Sequence, residues 1–415
     1  MSELTPHRRV RHDVMRRLGG DGGAVSTIVA ILLAAGVLLG IGALAIDVGT
    51  LYHEREQQQS GADAAALYVA RVCATIPGDC QAVASTSGTT FTDASGRTMK
   101  TAGWYANHNA KDNTSGITTV CSNSPAAQAL GLPACPPLTT PSTQLSRCIG
   151  NAPTNGTPYV EVRTHVRNTN GTTILPPVFA RTLAGNSGDQ GSAVSACSRA
   201  SWGPPKSAVG IAATISICEW NASTASGGNL APPPPYTTPY PASLYAAEQV
   251  VYLHGTGTST TAGGTADACN TTVPAGWNAP GGFGWLDDSG QCQATITAGD
   301  TADGDTGASA DSACKTRLQN YLSSRQVIYM PIYDGVQGTG TGTTYHIVGM
   351  AAFVLTGYNL PSNSLKAASW LTGKNYCKGN DKCLYGFFVK PLLPVGAVVG
   401  GTGTDLGVSA VSLIG

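Results

Sequence analysis

The chain has 415 residues, with 24 basic and 24 acidic side chains and a formal net charge of zero. Charged residues make up only 12%, while Gly reaches 52 and Pro 25; this argues against a nucleic-acid binder held by counterion release and against a cytosolic helical protein. Twelve cysteines, an even number, suit disulfides formed outside a reducing cytosol.

Residues 1–23 are a short basic tail, with Arg8, Arg9, Arg11, Arg16 and Arg17 set against Glu3, Asp13 and Asp21. Residues 24–46, AVSTIVAILLAAGVLLGIGALAI, then run without a charge. As one helix they would be about 34 Å long, enough to cross a hydrocarbon core of roughly 30 Å. A cleaved secretory signal would have a shorter apolar core ending in a small-x-small site. The run therefore predicts a single transmembrane helix, and the arginine excess before it predicts a cytoplasmic N-terminus with the remainder outside the membrane. Gly36 and Gly40 stand at G-x-x-x-G spacing, which lets two helices approach closely, although glycine is also simply common in spans.

No proline interrupts residues 24–76. Val48, Leu51, Tyr52, Arg55, Gln59, Ala62, Ala66, Val69 and Cys73 recur at three- and four-residue steps, so the helix is expected to continue as a stem to about residue 73, with this stripe packed under a domain. Asp47, at the outer membrane edge, and Asp63, among alanines, are candidates to pair with a basic partner and set register in an assembly. The alternative for both is a charge ending a span and a solvated helix face.

The ordered series Gly22-Gly23-Ala24-Val25, apolar span, Ala45-Ile46-Asp47-Val48-Gly49, Tyr52, Gln57 to Gln59 and Ala62-Asp63-Ala64-Ala65-Ala66-Leu67 resembles the TadE/TadG-like proteins of the Flp, or tight-adherence, pilus assembly machinery. Leu175 to Gly185 and Ala200 to Pro204 look like the end of the same pilin-like region. Tyr345 to Tyr358, Cys377 to Gly386 and the closing GVSAVSLIG look like actinobacterial TadG-like ectodomains. Processed members carry Glu five residues into the mature chain; here Val25 or Ile28 stands at that place. The resemblance therefore implies an uncleaved, membrane-anchored assembly protein. Its implied partners are inner-membrane pilus-assembly proteins and pilin-like subunits.

Beyond the stem, Tyr159 to Val166 alternates with period two, Asn170-Gly171 marks a hairpin, and Thr172 to Leu175 would be the return strand. A long helix followed by antiparallel strands is the pilin-like α+β arrangement. Trp202-Gly203-Pro204-Pro205 is the expected boundary between this module, residues 47–203, and a disulfide-bonded β-rich domain, residues 204–415. Cysteines 73, 80, 121, 135, 148 and 197 precede that boundary and 218, 269, 292, 314, 377 and 383 follow it, so each half can close its own bonds. Cys73–Cys80 and Cys377–Cys383 are the short-loop candidates; a zinc site is the alternative, but no C-x-x-C pair exists. Strands are expected at 209–220, 249–254, 327–332, 345–358, 385–389 and 407–414.

Chemistry is sparse. Gly185-Asn186-Ser187-Gly188-Asp189 reads as a turn, and G-x-S-x-G, H-E-x-x-H and Walker loops are absent. Asp300, Asp303, Asp305 and Asp311 sit in a Gly/Thr-rich loop whose oxygens would suit Ca²⁺, but their spacing matches no EF-hand and a solvated acidic loop is the ordinary explanation. The expectation is a non-enzymatic protein with no catalytic residue, cofactor, metal, nucleic acid or small-molecule substrate. The rival is an anchored adhesin or glycan-binding module, favoured by aromatic loops at Phe283-Gly284-Trp285 and Tyr236 to Tyr240.

Overall fold

The computed structural model describes residues 22–34, 36–93, 96–111, 113, 115–137, 148, 150–153, 156–167, 174–175, 192–252, 274–278, 282–287, 290–305, 312–338, 342–361, 364–377, 379–393, 398–399 and 404–414. The basic tail up to residue 21, the Asn170-Gly171 hairpin, Ser187, Cys269 and Asp311 lie outside them.

The apolar run does not form one helix. Helix α1, Gly22–Ala34, is followed by Gly36 with φ +69°, and helix α2 begins at Val37 and continues to Thr75. Left-handed backbone is open to glycine at no steric cost, and one such residue ends a helix. The chain stays hydrogen-bonded through the break, with Gly36 N–H donating to Leu33 O at 3.0 Å and Gly40 N–H donating to Gly36 O at 2.8 Å. The expected unbroken span is corrected accordingly: among the described residues, no single helix is long and apolar enough to cross a membrane. α2 ends where Ile76 leaves the helical region ahead of Pro77, the restriction that a proline places on its predecessor.

Helix α3, Ala102–Asn109, is capped by Thr101 Oγ1 accepting from Trp104 N–H. It packs against α2, and α2 lies across a four-stranded antiparallel sheet. Three of the strands are β1, Ser115–Cys121; β2, Tyr159–Val166; and β3, Ser195–Gly203. The buried face of α2 carries Ala62, Ala65, Ala66, Val69, Ala70 and Cys73, against Val160, Val162, Ala200 and Trp202 of the sheet. These positions recur at three and four, the period of one helix face. Side chains this small bring backbones close. A Cβ added at Gly61 would lie 2.8 Å from Ala106 O of α3.

At Gly203–Pro204 the chain leaves this sheet. β4, Pro205–Ile211, and β5, Ala213–Ser216, follow, then helix α4, Ile217–Thr224. The continuous strand expected at 209–220 is broken here because Ser216 Oγ accepts from Cys218 N–H and caps a helix. Next come β6, Gln249–Tyr252; β7, Phe283–Trp285; β8, Gln293–Thr297; helix α5, Ser312–Ser324; β9, Val327–Gln337; β10, Thr344–Leu360; and β11, Cys383–Val389. Their large sheet has the order β6-β11-β10-β9-β5-β7, while β8 pairs with β4 in a smaller one. β10 is central and buried on both faces from Gly349 to Leu360, so its sequence is a continuous apolar run rather than an alternating one. Together these elements give an α+β chain with a disulfide-rich β region.

The last strand, β12, Ala410–Leu413, does not join the β region. It pairs antiparallel with β3, Ala410 opposite Gly203 and Leu413 opposite Ala200. The N-terminal sheet, in the order β12-β3-β2-β1, thus takes its edge from the far end of the chain.

Candidate assembly surface

The candidate site is the α2 helix from its apolar beginning to its buried end. Ile41 and Leu44 are 62% and 59% exposed. A Cβ added at Gly36, Gly40 or Gly49 would meet nothing within 4 Å. The space beside both G-x-x-x-G glycines is thus open among the described residues.

Asp47 is buried, and Thr50 Oγ1 donates to its backbone oxygen at 2.7 Å. Asp63 is half-buried, and its carboxylate accepts from Gln59 Nε2 of the same helix at 2.8 Å. The two acids lie some 24 Å apart along the axis at 1.5 Å per residue, so they do not form one site.

Between them, the three glutamines join the helix to the other layers. Gln57 Oε1 accepts from Lys111 N–H at 2.6 Å, Gln58 Oε1 from Ser115 Oγ at 2.8 Å, and Gln59 Nε2 also donates to Cys197 O at 3.2 Å. Thr164 Oγ1 donates to the backbone oxygen of Gln58 at 2.9 Å. Gln57 and Gln58 are buried. This part of the expected stripe is corrected: Tyr52 stands 65% exposed, and the accepting oxygens of the buried Gln57 and Gln58 amides tie the helix to its neighbours here.

The first two turns of that stripe line a groove instead. Val48, Leu51, Tyr52 and Arg55 face Ala193, Val194 and Ser195 across about 290 Å³. A second, polar recess of about 440 Å³ is lined in part by His53, Glu56, His108 and Lys111. There His108 Nδ1 lies 3.0 Å from Trp104 O, a contact that requires an N–H at that nitrogen, and the ring stacks on Trp104 with centroids 3.8 Å apart.

Disulfides hold the surrounding frame. Cys73 joins Cys80, Cys121 joins Cys135, Cys148 joins Cys197, Cys292 joins Cys314 and Cys377 joins Cys383. Among the described residues no cysteine is free. Glu161, only 4% exposed, lies with its carboxylate within 4.8 Å of both the Cys121–Cys135 and the Cys148–Cys197 sulfurs. Arg163 Nη2 and Arg199 Nε reach its two oxygens at 2.6 and 2.8 Å. Sulfurs already joined to each other are not the thiolates a zinc ion requires, so this cluster is a braced ion-pair network.

Asp300, Asp303 and Asp305 occupy a turn and the short strand Thr301–Asp303 on β10, and among the described residues their carboxylates are not gathered into a three-ligand group. The aromatic loops expected to offer a binding face are packed inward. Phe283 and Trp285 are buried in the β core, edge to face at 5.7 Å. Tyr236 and Tyr240 lie against Trp370, which also carries Arg325 at 4.6 Å. His346 Nδ1 pairs with Asp334 at 2.6 Å beside Trp277. The glutamine anchors and the Glu161 network went unread in the sequence; their signal was polar residues inside a helix and strand otherwise patterned for burial.

Residues 23–72 match the family model described as "Putative Flp pilus-assembly TadE/G-like". The match opens at the beginning of α1 and closes at the end of the alanine face of α2. No curated protein and no solved structure is significantly similar to the chain.

Proposed function

We propose that this protein is a membrane-anchored, non-enzymatic component of Flp-type pilus assembly, of the TadG-like kind. The observation that carries this reading is the coincidence between the TadE/G-like match at 23–72 and the α1–α2 segment, which is apolar and outward-facing at its start and the core of a rigid module at its end.

In this reading residues 24–46 cross the membrane as two helical pieces with Gly36 between them. The hydrogen bonds around Gly36 suit a bend in lipid, where an unsatisfied backbone group costs several kcal/mol. The exposed Ile28, Ile31, Ile41 and Leu44 would face lipid or a partner helix. The basic tail stays in the cytoplasm, and everything after Asp47 is outside, where the disulfides persist. Gly36 lies outside either helix, so close approach would rest on Gly40 of α2, one turn past the break; it would let the span pack against inner-membrane pilus proteins, while the ectodomain meets pilin-like subunits. Its work is packing rather than catalysis. The adhesin reading loses its main support, because the aromatic rings that favoured it are in the core or packed against Trp370.

Fractionation of the native host tests this. Full-length protein should remain with membranes after alkaline carbonate extraction, and external protease should remove everything after Asp47. Release by carbonate, or protection of the ectodomain in intact spheroplasts, contradicts the reading.

A further inference from the structure

We infer that the groove between α2 and the start of β3 holds one anionic phospholipid of the outer leaflet, with Arg55 on its phosphate. This rests on the membrane placement proposed above.

The lining is ordered along the helix. Val48, Leu51, Tyr52 and Arg55 stand at steps of three, four and seven from the first, so they share one face of α2. Val48 is two residues beyond the apolar run, and Arg55 nine residues beyond it, about 13 Å further along the axis. The opposite wall is Ala193, Val194 and Ser195. From the membrane outward the groove is thus aliphatic first, aromatic next and cationic last, the polarity of a phospholipid standing in its leaflet.

Reach and charge agree with this. The headgroup layer adds roughly 5–8 Å on each side of the hydrocarbon core. Helical side chains lean toward the helix N-terminus, here toward the membrane, and an extended arginine covers the remaining distance by snorkelling. Arg55 is half-buried and makes no hydrogen bond or ion pair among the described residues. Among the described residues of the N-terminal module, the other half-buried arginines, Arg163 and Arg199, both hold Glu161. A guanidinium in an apolar groove without a carboxylate calls for an anion from elsewhere, and phosphate matches its planar fork. Tyr52, amphipathic and 65% exposed at the same level, is the residue type that favours the headgroup zone.

The test uses the full chain in nanodiscs of phosphatidylcholine containing one-tenth phosphatidylglycerol, with the lipid retained after detergent exchange quantified by mass spectrometry. The wild type should retain phosphatidylglycerol about five-fold above its bulk share, the weight of one basic side chain at an anionic surface. Arg55→Gln should return it to the bulk share, and Val48→Trp, which fills the aliphatic end, should do the same with Arg55 intact. Arg71→Gln, on the same helix about 24 Å beyond Arg55, is the control and should retain the enrichment. Equal retention by wild type and Arg55→Gln, or equal loss in Arg55→Gln and Arg71→Gln, overturns the inference. Failure of the wild-type chain to enter discs at all refutes the membrane placement itself and removes this inference with it. Co-elution with the discs separates that failure from the others.

Discussion

The two halves of the molecule are held together by different means. The N-terminal module packs α2 onto a sheet and onto α3 through Ala62, Ala65, Ala66, Ala70, Ala102, Ala106 and Ala200. The β region fills its interior with Phe283, Phe353, Phe387, Tyr333, Tyr385 and Met330. Burial stabilises in proportion to apolar area, about 25 cal/mol per Å², so an alanine interface contributes little for each residue it fixes. Both regions carry disulfides; the module adds a buried ion-pair network and glutamine hydrogen bonds, all within the reach of α2 or the strands beneath it. The two regions are therefore vulnerable in different ways: the β region to loss of volume, the module to added volume and broken polar contacts.

The largest effect should come from Phe353→Ala. Its ring is fully buried and edge to face with Phe388 at 5.1 Å, and deletion should cost about 3–5 kcal/mol. Hydrogen exchange should rise across β9, β10 and β11 while the Ala62–Ala70 turns of α2 stay protected. Equal loss in both regions breaks the comparison. The double substitution Cys148→Ala/Cys197→Ala, which opens a closure of 49 residues, should cost roughly 2–5 kcal/mol, and exchange should rise in β2 and β3 first.

Gly61→Val is the sharper probe, since it removes no contact. Its Cβ would stand 2.8 Å from Ala106 O and must displace it, and overpacking of this kind costs about 1–3 kcal/mol. The melting temperature should fall and the α2–α3 contact should loosen; an unchanged melting temperature would mean the two helices part easily.

The smallest effects are in pH, and they have opposite signs. Burial, helped by Arg167, holds the His165 imidazole below its ordinary 6.5. The module's stability from this group is present above pH 6.5 and is lost as pH falls through the lowered folded value. Burial pushes the Glu219 carboxyl above its ordinary 4.5, against a lowering hydrogen bond from Gly282. Its contribution in the β region is present below pH 4.5 and is lost as pH rises through the raised value. Glu219→Gln should therefore flatten the β region's dependence above pH 4.5 and leave the acid side of the module unchanged. Region-resolved exchange between pH 4 and 8 checks both.

Local pattern made part of this legible. The alanine face from Ala62 to Cys73 was visible as spacing, because one-sided burial forces a 3.6-residue period. The apolar core of β10 was visible as a continuous run. What spacing did not reveal was physical in each case. A glycine inside an apolar run is silent about whether it will adopt positive φ, so the break at Gly36 was missed. Buried glutamines look like surface until the donors opposite them, Ser115 and Lys111, are in place. Aromatic residues between glycines look like an exposed loop, yet Phe283 and Trp285 are core because β7 pairs with β5. Pairing of β12 with β3 spans more than 200 residues, and no local signal chooses a partner at that distance.

A chain that serves filament assembly from the membrane makes filaments depend both on its presence and on its apolar run. The most direct measurement is a count of surface filaments by electron microscopy in the native host lacking the chain, complemented with the full chain or with one lacking residues 24–46. Few or no Flp-type filaments are expected without it, with recovery by the full chain and no recovery without the apolar run. Normal filament numbers in its absence, or full recovery by the chain lacking 24–46, would contradict the claim.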